Sequence, residues 1–282
     1  MLTAEPEHLR DALAAFRRGL AGVGRLGVAY SGGVDSCVLL ALALRELGPD
    51  RVVAVTALSP SLAARDRRRA RAVAEGLGAT LVEVTTREGE REAYRRNDVD
   101  RCYHCKDELF AVIDTQLLAR HGLDAVAYGE NADDALRPDR PGSRAAHEHR
   151  VLRPLADAGM TKEVVREVAT WLDLPTAQAP ASPCLASRIP HHERVTPEKL
   201  AQVERAEDVV LALGVPDVRV RHHGDLARIE VPVEHLPTVL AARAEVVAQF
   251  RRIGFRHTTI DLAGLQSGVF TLEAMGLRGA VG

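Results

Sequence analysis

The chain has 282 residues, of which 46% are apolar and 27% are charged, and its formal net charge is −2. This balance is typical of a soluble enzyme with one large or two smaller domains, and it provides no global positive field to hold nucleic acid. Four cysteines are too few for a disulfide scaffold in a chain of this length and indicate reduced thiols in a cytosol.

The N-terminal stretch, MLTAEPEHLRDALAAF, has acids early and no cationic start followed by an apolar core, so no signal peptide is expected. No window approaches about 18 uninterrupted apolar residues, which predicts the absence of a membrane span. We therefore expect a cytoplasmic protein without a membrane partner.

The first part of the chain alternates short apolar strands with helices. Strands are predicted at 26–30, 51–58, 79–86 and 124–129, and helices at 34–48, 61–78 and 105–122. Helices of this length between strands favour right-handed parallel crossovers, hence an α/β fold with a doubly wound parallel sheet. The basic run RDRRRARA in the second helix is either a solvated helix face or a ligand patch.

After residue 129 this pattern stops. Residues 130–150 carry two prolines and many charges without apolar periodicity, which predicts a long functional or mobile loop. A helix at 161–174 and a Pro-rich linker at 175–183 follow.

The C-terminal part has a different pattern. A helix at 196–214, a hairpin around Gly224-Asp225, a helix at about 234–252 and a last strand predict a smaller α+β domain. The predicted domains are 1–180, which binds the nucleotide, and 181–282, which serves substrate binding and oligomerisation and begins with a cysteine-bearing loop.

The stretch SGGVDS follows the first strand and enters a helix, where α/β sheets present ligand sites. Gly32, Gly33 and the helix N-terminus can form an anion cradle, and the hydroxyls of Ser31 and Ser36 add donors to phosphate oxygens. Asp35 suits the positive end of the helix and can hold Mg²⁺. A merely tight turn explains one glycine but not the whole stretch, and neither a Walker A loop nor a dinucleotide fingerprint is present.

Cys184 lies in the stretch ASPCLASR, in a polar loop after Pro183. Positive charge from Arg188 and Arg194 would favour its thiolate form. A thiolate beside an acyl-adenylate would displace AMP and form a thioester. A buried, inert cysteine is the alternative.

Other polar residues leave two interpretations open. Arg219 and Arg221 share one face of a predicted strand, so they suit a phosphate or carboxylate, but a surface ion-pair ladder fits equally well. Asn131, Asp133 and Asp134 follow a strand end, so they face either the nucleotide or, equally well, solvent. Cys102 and Cys105 form half of a tetrahedral zinc site, which favours a structural or substrate-side role over a metal site.

SGGVDS resembles the pyrophosphate-binding loop of the PP-loop ATP pyrophosphatases, whose pattern is SGGxDS. Further motifs follow in order: RCYHCK (101–106), GENADD (129–134), RPG (140–142), SPCLASRIP (182–190) and the VRVRHH…ARIEV hairpin. Together they make the chain, from about residue 5 to residue 274, similar to the LarE family of ATP-dependent sacrificial sulfur transferases.

The resemblance implies a reaction and its site. The reaction uses ATP and Mg²⁺ to adenylate a carboxylate of pyridinium-3,5-biscarboxylic acid mononucleotide, in biosynthesis of a nickel-pincer nucleotide cofactor. Cys184 is implied as the sulfur donor that ends as dehydroalanine, because the three local cysteines of the cluster-dependent members are missing here. The implied nucleotide-binding residues are Ser31, Gly32, Gly33, Asp35, Ser36, Gly129 and Asn131. The implied substrate-binding residues are Ser187, Arg188, Arg219 and Arg221, and the implied metal ligands are Asp35, Glu207 and Glu230. A homo-oligomer, a hexamer, is implied as well.

Two other functions remain open at this point. Another adenylating PP-loop enzyme, either a tRNA thiolase or an amidotransferase like NAD or GMP synthetase, shares the phosphate loop. The charge balance provides no extended basic surface for tRNA, and an amidating enzyme does not need Cys184. The second is an ATP-binding module without catalysis.

Overall fold

The computed structural model describes residues 4–136, 141–180 and 182–265. The chain forms two compact units, Met1–Glu88 with Cys102–Ser182, and Gly89–Arg101 with Pro183–Gly282. The sequence-based division into functional domains at residue 180 stays a prediction, and the compact units differ from it by placing Gly89–Arg101 with the C-terminal part. Arg140 and the end of the matched segment, 266–274, lie outside the described residues.

The first unit contains a four-stranded parallel sheet in the order β3-β2-β1-β4. The strands are β1 (Leu26–Ala29), β2 (Val52–Leu58), β3 (Thr80–Thr85) and β4 (Ala125–Tyr128). In the register of the sheet, Val28 lies between Ala54 of β2 and Ala127 of β4. The predicted α/β fold with a doubly wound parallel sheet is confirmed.

The helices in the described part of the chain, in order, are α1 (Arg10–Gly19), α2 (Val34–Leu47), α3 (Ala64–Gly76), α4 (Glu92–Arg95), α5 (Arg101–Val112), α6 (Leu118–His121), α7 (Ala132–Ala135), α8 (Pro141–Glu148), α9 (Pro154–Asp157), α10 (Lys162–Trp171), α11 (Pro197–Leu211), α12 (Leu236–Ala241) and α13 (Arg243–Ile253). A π-helical turn, Ile113–Leu117, joins α5 to α6. No helix of the described residues is long and apolar enough to cross a membrane.

Both faces of the parallel sheet are buried. Alternate residues of β2 belong to opposite apolar clusters: Val52 and Ala54 pack with α2, and Val53 and Val55 pack with Phe110 of α5. A sheet covered on both faces needs nearly continuous apolar strands, which is why its strands are short apolar runs rather than alternating ones. Polar residues of this sheet are therefore found where its strands end, as in the loop that follows β1.

The prediction of a long loop at 130–150 is wrong. The helices α7 and α8 occupy much of it, and α8 buries Ala145 and Ala146 against the second apolar cluster. The sequence shows no apolar periodicity here because the buried residues of α8 are small alanines rather than large apolar side chains. His149, after α8, lies between two carboxylates, 2.7 Å from Asp114 and 3.0 Å from Asp107.

The second unit has its own core and sheet. The strands β5 (Arg219–His223) and β6 (Leu226–Glu230) form the predicted antiparallel hairpin, and β7 (His257–Ile260) pairs with β6 in parallel. α11 begins at Pro197 and is capped by Thr196, whose hydroxyl accepts from the Lys199 amide at 3.3 Å. The single helix predicted at 234–252 is two helices, α12 and α13.

Candidate active site

The PP-loop, residues 31–36, connects β1 to α2 in the first unit. The Ser31 and Ser36 hydroxyl oxygens lie 3.1 Å apart, and Ser36 Oγ donates to the Gly33 carbonyl at 3.0 Å. The backbone amides of Ser31 and Gly33 point at these two hydroxyls, at 3.3 and 3.4 Å. The loop thus collects amide and hydroxyl donors at the N-terminus of a 14-residue helix, the geometry that binds anionic oxygens.

Two glycines let the backbone close around this loop. Gly32 has φ of +75°, and a Cβ there would lie 2.6 Å from the Cβ of Ala70 on α3. A Cβ on Gly129, just after β4, would lie 2.8 Å from the backbone nitrogen of Ser36. Neither clash is with a flexible side chain, so both positions require glycine.

Asp35 joins the PP-loop to two other segments. Asn131, the N-cap of α7, donates to Asp35 Oδ1 at 3.2 Å, and Lys162 Nζ donates to Asp35 Oδ2 at 2.6 Å. The Lys162 amide also donates to Asp133 at 2.8 Å. The loops after β1 and β4, where the strand order reverses, are thereby tied to the start of α10, at the position where open α/β sheets bind ligands.

Lys162 was missed by sequence reasoning. It begins α10 directly after the N-cap Thr161, and its sequence neighbourhood is an ordinary helix start. The signal was a lone cation at the N-terminus of a helix, where an acid is the usual residue.

The donor set around Asp35 fits Mg²⁺. The carboxylates of Asp35, Asp133 and Asp134 are hard oxygen ligands, and Mg²⁺ is usually held by one or two carboxylates together with substrate phosphates. The described residues contain no cluster of three or more His, Cys, Asp or Glu that forms a metal site by itself.

Cys184 lies in the second unit, in the cysteine loop, residues 183–190, and it is exposed. It precedes a 3₁₀ turn, Leu185–Arg188. The loop is shaped by the Arg188 side chain, which is only 1% exposed and donates to the carbonyls of Pro183 and Cys184 at 2.6 and 3.2 Å. Arg188 also pairs with the buried Glu207 at 2.8 Å. A buried ion pair therefore holds the backbone on which the thiol is displayed.

The predicted site residues of the hairpin already have hydrogen-bond and ion-pair partners within the second unit. Arg221 forms a two-point ion pair with Glu230, at 2.9 and 2.7 Å, and donates to the Ser187 carbonyl at 3.1 Å. Arg219 donates to the Val218 carbonyl at 2.9 Å and to Asp217. Burial lowers the pKa of Arg219, and the nearby positive charge of Arg188 lowers it further. Substrate binding by Arg188, Arg219, Arg221 and Ser187 and metal binding by Glu207 and Glu230 stay predictions, and a ligand would have to compete with these ion pairs.

A second support of the cysteine loop comes from the strap, residues 89–101. Asn97 is fully buried, has φ of +61°, and donates to the carbonyls of Ile189, Pro190 and Glu193 at 3.2, 2.7 and 3.0 Å. Arg101 donates to the Asn97 side chain and to the Ala186 carbonyl, the latter at 3.0 Å. Sequence reasoning missed this contact, because the strap is more than 80 residues from the loop in the chain.

The other cysteines have different surroundings. Cys37 is buried in α2, where burial raises the pKa of its thiol, and it lies 3.5 Å from the Tyr30 hydroxyl. Cys102 is exposed and Cys105 half-buried at the start of α5, and none of the four cysteines forms a disulfide. Cys184 is thus the exposed thiol on an irregular loop, and Cys102 is the exposed thiol on a helix.

Comparison with known proteins gives a consistent result. The family model of asparagine synthase matches residues 8–133, which include the PP-loop. The chain is 40% identical over 270 residues to an uncharacterised protein of Synechocystis, covering 95% of this chain and 97% of that protein. It is 35% identical over 244 residues to the pyridinium-3,5-bisthiocarboxylic acid mononucleotide synthase of Lactiplantibacillus plantarum, covering 86% and 88%. An uncharacterised protein of Methanocaldococcus jannaschii is 28% identical over 235 residues, covering 83% and 88%.

Proposed function

The chain belongs to the LarE family of PP-loop proteins, and we propose that it is an ATP-using enzyme that inserts sulfur into pyridinium-3,5-biscarboxylic acid mononucleotide. The product is a thiocarboxylate on the path to a nickel-pincer nucleotide cofactor. The observation that carries the proposal is an exposed, free Cys184 on a loop fixed by buried groups, in a chain similar to the Lactiplantibacillus synthase over most of its length.

The first step is adenylation of a substrate carboxylate. The amides of the PP-loop and the hydroxyls of Ser31 and Ser36 bind the phosphates that leave as pyrophosphate, since these donors converge at the start of α2. The carboxylate oxygen forms a bond to the α-phosphorus, and the bond to pyrophosphate breaks. Asp35, together with Asp133 or Asp134, would hold Mg²⁺, which neutralises phosphate charge when bound.

Lys162 supplies a second positive charge beside Asp35, in addition to that of Mg²⁺. Its ammonium group donates to Asp35 Oδ2 at 2.6 Å. The Lys162 side chain is 40% exposed, so its ammonium group is accessible to a phosphate oxygen of a bound triphosphate. We assign Lys162 to the binding of the leaving pyrophosphate.

The second step transfers sulfur. The Cys184 thiolate attacks the acyl carbon of the adenylate, AMP leaves, and a thioester forms. A base then removes the Cα proton of residue 184, a Cα–Cβ double bond forms, and the Cβ–S bond breaks with its electrons on sulfur. The substrate keeps the sulfur as a thiocarboxylate, and the chain keeps dehydroalanine. Arg188 and Asn97 position this loop and do not take part in the bond changes.

The test separates adenylation from sulfur transfer. With MgATP and substrate, Cys184→Ala should release pyrophosphate but form no thiocarboxylate, and the unmodified chain should form at most one thiocarboxylate per Cys184. Cys102→Ala is the matched control, because it removes the other exposed thiol, and it should behave like the unmodified chain. Thiolated product from Cys184→Ala would contradict the proposal, and full amidating turnover by that variant would favour an amidotransferase.

A further inference from the structure

A largely buried polar cluster lies at the carboxyl ends of β2 and β3, on the edge of the parallel sheet from which the PP-loop also emerges. It consists of Ser59, Ser61, Thr86 and Glu88. The hydroxyl oxygens of Ser59 and Ser61 are 2.7 Å apart, and Ser61 Oγ donates to Glu88 Oε1 at 3.4 Å. The Thr86 amide donates to the Leu58 carbonyl at 3.2 Å, which closes the cluster onto the end of β2.

Two atoms of this cluster lack hydrogen-bond partners. Glu88 is 2% exposed and Thr86 is 5% exposed, and Glu88 Oε2 and Thr86 Oγ1 are buried without a partner. In the described part of the chain, the hydrogen bond from Ser61 is the single one to the Glu88 carboxylate. An unpaired buried carboxylate oxygen is costly, so its position indicates a ligand that brings hydrogen-bond donors.

The cluster is within reach of a nucleotide bound at the PP-loop. All strands of the sheet are parallel, so the loops after β1, β2 and β3 emerge on one edge. The start of the PP-loop is bonded to β2, since Thr56 Oγ1 of β2 donates to the carbonyl of Tyr30, the residue before the loop, at 2.8 Å. One to two strand spacings, roughly 5–10 Å, separate the cluster from the PP-loop. This is the span from the phosphates of a nucleotide to its sugar.

We propose that Glu88, with Ser61 and Thr86, forms a subsite for the vicinal diol of a ribose. The two hydroxyls of a cis-diol are donors that match the two oxygens of one carboxylate. Their oxygens can accept from the Thr86 hydroxyl, and from the Ser61 hydroxyl once it turns away from Glu88 Oε1. An acid plays this part for ribose in dinucleotide-binding folds. A phosphate or carboxylate ligand is disfavoured, because it would be repelled by Glu88.

The subsite rests on the proposed function, in which two ribosides bind: ATP and the pyridinium mononucleotide. Both carry the same diol. The experiment therefore has one arm for each source, and each arm reads binding rather than sulfur transfer.

In the first arm, calorimetry measures the affinities of the full chain for ATP, 2′-deoxy-ATP and 3′-deoxy-ATP. If ATP provides the diol, the unmodified chain should prefer ATP by about tenfold or more, the size expected for a hydrogen bond to a charged group. Glu88→Gln keeps the side-chain shape and should reduce this preference to within about twofold. Glu90→Gln, an exposed acid of the same turn, is the matched control and should keep the preference.

In the second arm, nicotinic acid mononucleotide is the probe for the substrate's ribose. If the substrate provides the diol, Glu88→Gln should weaken this probe about tenfold and leave the ATP preference unchanged. Circular dichroism checks that Glu88→Gln is folded. If it is not, the near-isosteric variant Thr86→Val replaces it, and the results expected for Glu88→Gln in each arm are expected for Thr86→Val.

The subsite is overturned if the folded variants change neither the preference for ATP over its deoxy analogues nor the affinity for nicotinic acid mononucleotide. It is also overturned if the unmodified chain binds ATP and both deoxy nucleotides equally and Thr86→Val leaves the mononucleotide affinity unchanged. Failure of the proposed function is distinguishable. If the binding arms overturn the subsite but Cys184 of the unmodified chain still loses its sulfur at saturating ATP and substrate, only the subsite proposal fails. If the unmodified chain never loses that sulfur, the proposed function fails, whatever the binding arms show.

Discussion

The PP-loop and the cysteine loop obtain their geometry in different ways. The PP-loop is built from its own six residues: its hydroxyls and amides bond to one another, and a parallel sheet presents it at a strand end. The cysteine loop also has internal hydrogen bonds, from Arg188 to the Pro183 and Cys184 carbonyls, but it depends in addition on Glu207, which pairs with Arg188, and on Asn97 of the strap. The hydroxyl and amide donors of the first site are local in sequence, although Asn131 and Lys162 also bond to Asp35, whereas the conformation of the cysteine loop depends on residues that are remote from it.

This difference predicts different responses to mutation. A change in the PP-loop should act on nucleotide binding, because the loop itself carries the donors. A change at a remote support should act on Cys184 and leave nucleotide binding intact. The three substitutions below test this contrast.

The largest effect is expected for Glu207→Gln. It leaves the Arg188 guanidinium buried without its carboxylate, and breaking a buried ion pair costs about 3–5 kcal/mol. The free energy of unfolding of the second unit should fall by that amount, and sulfur transfer should be lost while pyrophosphate release persists. Denaturant titration and the two product assays measure this. Glu234→Gln, an exposed acid of the same unit, should change stability by less than about 0.5 kcal/mol. Loss of ATP binding in Glu207→Gln would break the contrast.

Gly32→Ala should affect the other site. The new Cβ meets the backbone and Cβ of Ala70 at 2.9 and 2.6 Å, and a φ of +75° adds strain of about 1 kcal/mol or more. We expect ATP affinity to fall at least about tenfold, measured by calorimetry. Gly48→Ala is the matched control, since its φ is +85° but its Cβ would meet nothing within 4 Å. If both variants bind ATP equally, close packing at Gly32 is not what shapes the loop.

A smaller effect is expected for Asn97→Asp. The substitution keeps the shape and tolerates the positive φ, but it replaces the donor to three carbonyls by an oxygen. Arg101 still donates to the side chain at position 97 and compensates in part, so we expect the unfolding free energy to fall by about 1–2 kcal/mol. Because the cysteine loop loses a support, we also expect the rate at which iodoacetamide alkylates Cys184 to change. An unchanged alkylation rate in a destabilised variant would mean that the strap stabilises the unit without positioning the thiol.

Sequence reasoning predicted the parts of the molecule whose physics is local. The short apolar strands and SGGVDS carry their own signals, since a buried parallel strand needs an apolar run and a phosphate cradle needs glycine and hydroxyl residues at a strand end. Cys184 was singled out by its polar, Pro-flanked neighbourhood.

The parts that were missed depend on tertiary contacts. Lys162 and Asp35 are 127 residues apart, and Asn97 and Pro190 are 93 apart, so no local pattern joins them. Glu88 reads as one acid among several, and its burial is visible only once β2 and β3 pair. The helix α8 was missed because alanines bury it without an apolar period.

The most direct measurement is the mass of the Cys184-containing peptide before and after one turnover with substrate and MgATP. We predict that this peptide loses one H₂S equivalent in proportion to the thiocarboxylate formed, because the sulfur of that side chain leaves with the product. An unchanged peptide mass alongside thiolated product would contradict the account.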